Sequence, residues 1–181
     1  KEYAISWNEH LSTYDGLKTV QKLEMLTTNK KLPKTDHETI WQKKQKITLK
    51  KLKQLKEDDN LISVMKSLTE SGYELAVCSN SIRKTVLTVL SKLGVMEYMD
   101  LVISNEDVKN SKPHPEMYWK AISMMSKLPE ETLIIEDSPY GLLAAARSKS
   151  HILRVVNPDE VTYDNITKKI IKIEKGNTLK T

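Results

Sequence analysis

Leu133–Ala146 reads LIIEDSPYGLLAAA, and its reading decides the fold. Thr132–Glu136 (TLIIE) is a short apolar run of strand type. Ser138-Pro139 then starts a helix that runs through Leu142, Leu143 and Ala146, with Pro139 in the first helical position, where a missing N–H does no harm. The strand therefore ends in two adjacent carboxylates, Glu136 and Asp137. Ending a buried strand in this way is costly unless something compensates. A hard cation is one compensation, since Mg²⁺ takes one or two carboxylates and keeps several waters. Helix capping by Asp137 or Ser138 is the other, and the two roles are compatible.

The same alternation extends outward in both directions. Tyr73–Ser79 (YELAVCS), Leu101–Ser104 (LVIS) and His151–Val156 (HILRVV) are strands. Between them lie a helix carrying Leu61, Val64, Met65 and Leu68, capped by Asn60, another through Ile82, Val86, Val89, Leu90 and Leu93, and a third over His114–Met125 with Pro115 in its first turn. Near-continuous apolar strands separated by helices indicate an α/β fold, a parallel sheet covered on both faces. Residues 1–57 read as helices only. Asp15-Gly16 opens a run through Leu17, Val20, Leu23 and Met25 or Leu26; Leu32-Pro33 breaks it. Thr35 or Asp36 caps the next helix, through Ile40, Trp41, Ile47, Leu52 and Leu55. The expected organisation is a helical subdomain over 1–57, an α/β core over 58–173 and a tail over 174–181.

With 39% hydrophobic and 29% charged residues in 181, the chain has the composition of a soluble globular protein. No apolar run approaches the roughly 20 residues that span a bilayer, and the N-terminus lacks the apolar core of a secretory signal. One cysteine, Cys78, excludes an internal disulfide and fits a reducing cytoplasm; inside an apolar strand it reads as a small core residue. The net charge of +5 owes much to lysines between Lys43 and Lys56. They read as a solvated helix face, and no aromatic-interleaved basic motif argues for nucleic acid. Neither a nucleic acid nor a membrane is expected as partner, and oligomeric state is not legible.

In open α/β sheets, ligands bind beyond the carboxyl ends of the strands. Those ends carry Ser79-Asn80-Ser81, then Ser111-Lys112-Pro113-His114-Pro115, then Glu136-Asp137-Ser138-Pro139. A hydroxyl, an ammonium and a carboxylate pair converge on one edge, a set that suits a phosphoryl group and a divalent cation. Ser79, Asn80 and the amides around them can hold phosphate oxygens, or Ser79 or Ser81 can simply cap the next helix. Lys112 can neutralise charge between two anions, its backbone held extended by Pro113, or it is an ordinary turn lysine. No His or Cys cluster has zinc spacing. His114 reads as a loop residue, and Trp7, Trp41 and Trp119 as packing residues.

In order and spacing, Tyr73–Ser81 (YELAVCSNS), Ser111–Pro115 (SKPHP) and Leu133–Ala146 resemble the second, third and fourth motifs of the haloacid dehalogenase (HAD) superfamily. The resemblance covers about residues 58–156. It implies a HAD-like Rossmannoid core acting as a Mg²⁺-dependent phosphohydrolase on a small phosphorylated metabolite such as a sugar phosphate. Ser79 and Lys112 would be catalytic, Ser79, Asn80 and Lys112 would bind phosphate, and Glu136 and Asp137 would bind Mg²⁺. Residues 1–57 resemble the helical cap of the β-phosphoglucomutase-like subgroup. By that likeness Thr13-Tyr14-Asp15-Gly16 faces the active site; otherwise it is a plain interhelical turn. The family's first motif, an apolar central strand ending in Asp-x-Asp, has no counterpart in the sequence, so its nucleophile is expected upstream of residue 1 and the chain as given is expected to be inactive. Two alternatives stand beside the phosphatase: a phosphosugar mutase of the same family, and a non-catalytic homologue serving as a binding or regulatory module.

Overall fold

The computed structural model describes residues 3–178. Four short strands carry the core: β1 (Ala76–Cys78), β2 (Leu101–Ile103), β3 (Leu133–Glu136) and β4 (His151–Arg154). β1 pairs with β2 in parallel, Val77 opposite Val102, and β3 pairs with β4 in parallel, Ile135 opposite Leu153. The single sheet expected from the sequence is thus present as two parallel pairs among the described residues. β1 and β3 line a common cavity of about 1370 Å³.

The two pairs run the same way. Lys127 pairs with Glu74, just before β1, and feels the charge of Glu131, just before β3. At the other ends, the backbone of Cys78 and the carboxylate of Glu136 both meet the side chain of Lys112. Helices pack these strands into place: α4 (Asp59–Glu70), α5 (Arg83–Lys92), α6 (Glu116–Met124), α7 (Pro139–Ser148) and α8 (Tyr163–Thr178). Val86 and Leu90 of α5 bury against Val95 and Val102. Ala144 and Ala145 of α7, both 0% exposed, bury with Tyr118 and Ile134, and only such small side chains let a helix approach a strand this closely. Cys78 packs against this group and against Ile103, Met117 and Ala121, as a core residue should.

Over the described part of 1–57 no strand forms. The segment holds α1 (Trp7–Glu9), running into a π-helical turn over His10–Tyr14, then α2 (Thr19–Lys30) and α3 (His37–Leu52). α3 packs on α2 and on α5 of the core. Its lysines Lys43, Lys46, Lys50 and Lys51 are exposed, so the basic stretch is a solvated face.

Several local expectations need correction. The cap of α4 is Asp58, whose carboxylate accepts Leu61 N at 3.0 Å, because Asn60 already lies inside the helix. α3 begins at His37 without a side-chain cap from Asp36, and Pro115 is the N-cap of α6 rather than a first-turn residue. Trp7 and Trp119 are 71% and 48% exposed; Trp7 stacks on His10, and Trp119 meets His114 edge-on. Residues 174–178, set apart as a tail on sequence grounds, continue α8, while 179–181 lie outside the described residues. No helix among the described residues is long and apolar enough to cross a membrane.

The cap assignment is open to test by urea unfolding. Asp58→Ala should cost about 1 kcal/mol, the usual loss of an N-cap side chain. Asn60→Ala should stay within about 0.5 kcal/mol. Equal losses would return the cap to Asn60.

Candidate active site

Lys112 stands at the centre of the strand-end loops. It is 7% exposed, so it is no ordinary surface lysine. Its Nζ donates to Cys78 O at 3.0 Å and to Glu136 Oε2 at 2.6 Å, and lies 4.8 Å above the Tyr118 ring. An ammonium has three N–H donors, so one is left over. Its backbone is fixed by Asn80, whose Oδ1 accepts Lys112 N at 3.1 Å and whose Nδ2 donates to Lys112 O at 3.0 Å. The Lys112–Pro113 peptide bond is cis.

Glu136 is 7% exposed and accepts from every side. Oε2 takes Lys112 Nζ and Tyr118 Oη at 2.6 and 2.7 Å. Oε1 takes Asp137 N, Ser138 N and Ser138 Oγ at 3.1, 3.0 and 2.9 Å. Two of these donors are amides of the turn that leads into α7, Asp137 N and Ser138 N, beside the positive end of the helix. Burial works against the charged form, but the Lys112 ammonium and these hydrogen bonds hold the carboxyl well below the usual carboxylate range. The same carboxylate requires Gly141: a Cβ there would lie 2.0 Å from Glu136 Cδ. Ser138 caps α7, accepting Gly141 N at 3.1 Å, so capping falls to Ser138 and not to Asp137.

This arrangement revises the expected cation pair. Five donors occupy the two oxygens of Glu136, so it acts as an anchor for Lys112 rather than an open ligand. Asp137 is exposed, and its carboxylate interacts with the Glu136 carboxylate and with its own backbone N–H. Its pKa is raised, first by partial desolvation and then by its hydrogen bond with Glu136 and the charge of that carboxylate. Among the described residues no three His, Cys, Asp or Glu side chains gather as a metal cage. One exposed carboxylate beside the uncommitted donors of Lys112 still fits Mg²⁺, which retains waters and needs only one or two carboxylates.

Ser79 follows β1 and continues its pairing, with N donating to Ile103 O at 2.9 Å. Its Oγ accepts Ser81 N at 3.2 Å, leaving the hydroxyl proton uncommitted. Neither Ser79 nor Ser81 caps α5, whose N-cap is Ile82. Asn80, expected to meet phosphate, spends its side chain inside the protein. Besides Lys112, it donates to Gly16 O at 2.6 Å. The segment Thr13–Gly16 therefore does reach the core. Thr13 O accepts from Tyr140 Oη at 3.1 Å, and Asp15 and Gly16 line the cavity. Tyr14 does not present a side chain to a ligand there: it is 1% exposed, with its hydroxyl buried.

Comparisons with known proteins bear on the family and the fold. Residues 1–155 match the haloacid dehalogenase-like hydrolase family. The chain belongs to that family. A pyrophosphatase of Halalkalibacterium halodurans is 32% identical over 47% of this chain and 40% of its own length. A validoxylamine A 7′-phosphate phosphatase of Streptomyces hygroscopicus subsp. limoneus is 31% identical over 50% of this chain and 42% of its own. The chain thus spans less than half the length of these relatives. A β-phosphoglucomutase from Clostridium difficile shares the fold, with a TM-score of 0.79 at 18% identity over 93% of this chain and 83% of that one.

Within this HAD site, sequence reasoning missed Tyr118, Tyr140 and Gly141. Gly141 had a legible signal, a glycine three residues past a Ser-Pro helix start. Tyr118 had none, because an aromatic on a helix face does not announce where its hydroxyl ends. Its own ionisation is suppressed, first by burial and then by Glu136. Burial likewise pushes the Cys78 thiol up to about 11, which suits a core residue and not a nucleophile.

Two outcomes follow from the charges. Glu136 has a folded pKa below its unfolded value of about 4.3, so its contribution is complete above that pH and fades as acid brings the solution through the folded pKa. Lys112→Met should raise the pKa of the carboxyl, since burial is then opposed by fewer partners of the charged form. Urea unfolding at about pH 7 should show a loss of about 3–5 kcal/mol for the broken buried pair, and the gap to the parent should narrow towards about pH 4.5. A gap that stays constant would refute the coupling. Separately, Mg²⁺ should raise the melting temperature by binding the folded state, and the rise should shrink in Asp137→Asn. Equal responses would remove Asp137 as a ligand.

Proposed function

We propose that this HAD-family chain belongs to a Mg²⁺-dependent phosphohydrolase acting on a small phosphorylated metabolite, its chemistry running through an aspartyl-phosphate. One observation carries the reading. At a single edge, Lys112 holds one N–H and Ser79 one O–H uncommitted, while the rest of each group is fixed by the fold. Donors preorganised in this way stabilise charge on a transferring phosphoryl group without reorganising. Glu136 and Cys78 O aim the ammonium, and Tyr118 supports the carboxylate from below.

Asp137 would hold Mg²⁺, which supplies neutralisation of phosphoryl oxygens when bound. The proposed nucleophile is a carboxylate carried by a segment lodged between β1 and β3. Its oxygen bonds to phosphorus as the ester oxygen leaves with a proton. Water then cleaves the acyl phosphate, releasing phosphate and restoring the carboxylate. The pyrophosphatase and phosphatase relatives favour final transfer to water over return to a sugar, which makes hydrolysis the preferred reading over mutase chemistry. Thr13–Gly16, latched over the loops, would border the substrate.

The test uses Ser79→Ala, since the lost hydroxyl supports only one local hydrogen bond. In the complete protein, supplied with pyrophosphate or a sugar phosphate and Mg²⁺, kcat should fall about 10²–10³-fold. The melting temperature should stay close to that of the parent. Normal turnover in Ser79→Ala would overturn the phosphate-holding role.

A further inference from the structure

Asn80 makes three side-chain hydrogen bonds that join two parts of the molecule. Its Oδ1 accepts Lys112 N at 3.1 Å, and its Nδ2 donates to Lys112 O at 3.0 Å and to Gly16 O at 2.6 Å. The amide orientation is fixed by chemistry, because two carbonyls demand the nitrogen and one N–H demands the oxygen. Both Nδ2 protons are thereby used. Asn80 also anchors its own loop, its carbonyl accepting from Asn105 Nδ2 at 2.9 Å, and Asn105 O accepts from Lys18 Nζ at 3.4 Å. On the helical side, Gly16 reaches Asn80 only because it is glycine. It holds φ at +78°, and a Cβ there would lie 2.9 Å from Ser138 Oγ. Ser138 Oγ in turn supports Glu136, the other partner of Lys112.

We infer that Asn80 is a positioning residue, a bracket through which seating of the helical segment on the core is transmitted to Lys112. When Gly16 withdraws, one Nδ2 proton loses its acceptor and the amide group that pins Lys112 on both sides of its backbone is freed to turn. The lysine is then held only through its own side chain. With Gly16 in place, the peptide unit is clamped and the ammonium is aimed. The site would therefore assemble only when the helical segment is seated. The consequence for catalysis rests on the phosphate-holding role of Lys112; the mechanical link does not.

Two readouts separate those claims. The amide of Lys112 donates to Asn80, so its hydrogen exchange reports the bracket, and the affinity for inorganic phosphate reports the ammonium. Tyr140→Phe weakens the seating from a distance by deleting the bond to Thr13 O. Spin labels on Lys46→Cys and Ala146→Cys, both exposed positions, report that seating as a distance. In the parent, Tyr140→Phe should lengthen the distance, quicken Lys112 exchange about three- to tenfold, and weaken phosphate by a similar factor, the scale of one ordinary hydrogen bond. In an Asn80→Ala background, or Asn80→Ser where that variant does not fold, Tyr140→Phe should bring no further weakening of phosphate. A merely structural asparagine would give additive losses instead. The proposal is overturned if the distance lengthens while Lys112 exchange stays unchanged, if the losses add, or if neither Tyr140→Phe nor the Asn80 variant moves the segment. Failure of the parent to bind phosphate would count against the proposed function alone, since exchange still decides the bracket.

Discussion

Lys112 and Glu136 form a buried ion pair at 2.6 Å, and the surrounding architecture answers to it. A charge pair taken out of water is costly unless its remaining donors and acceptors are matched. Here they are. The carboxylate draws on a tyrosine hydroxyl, a serine hydroxyl and two amides of the turn between β3 and α7; the ammonium draws on the carbonyl that ends β1. Those partners come from β1, β3, α6 and α7. Their carboxyl-end loops meet because one charged pair needs all of them.

Matching the pair limits the neighbouring residues. Gly141 has no side chain because the Glu136 carboxylate occupies the space a Cβ would need. Ala144 and Ala145 are small because α7 packs close against β3, burying with Ile134. Ser138 has two partners at once, capping α7 and donating to Glu136. A helix start that looks like simple capping is thus also half of an electrostatic site. The more exposed Asp137 is left as the open carboxylate.

The helical segment is tied to the same site through backbone carbonyls. Tyr140 holds Thr13 O and Asn80 holds Gly16 O. Carbonyl latches carry no side-chain identity on the helical side, apart from the glycine that allows the approach. That is why the sequence of Thr13–Gly16 reads as a plain turn while its position against the core loops is specific.

The sequence alone determined the alternation of strands and helices, the direction of the sheet and the residues at its carboxyl edge. These follow from local periodicity and from the rule that ligands gather where parallel strands end. It also exposed the acidic end of β3, since two carboxylates closing an apolar strand demand an explanation. It left open which carboxylate faces inward, because adjacent residues of a strand end point to opposite sides and nothing local ranks them. Tertiary structure made that choice, turning Glu136 inward to a buried ammonium and four further donors, and Asp137 out to solvent. Tertiary structure likewise took Asn80 from the expected phosphate ligands and spent its amide on Gly16 and Lys112. The partners of a side-chain amide lie 64 and 32 residues away in sequence, and no periodicity encodes a contact that only the folded chain brings within about 3 Å.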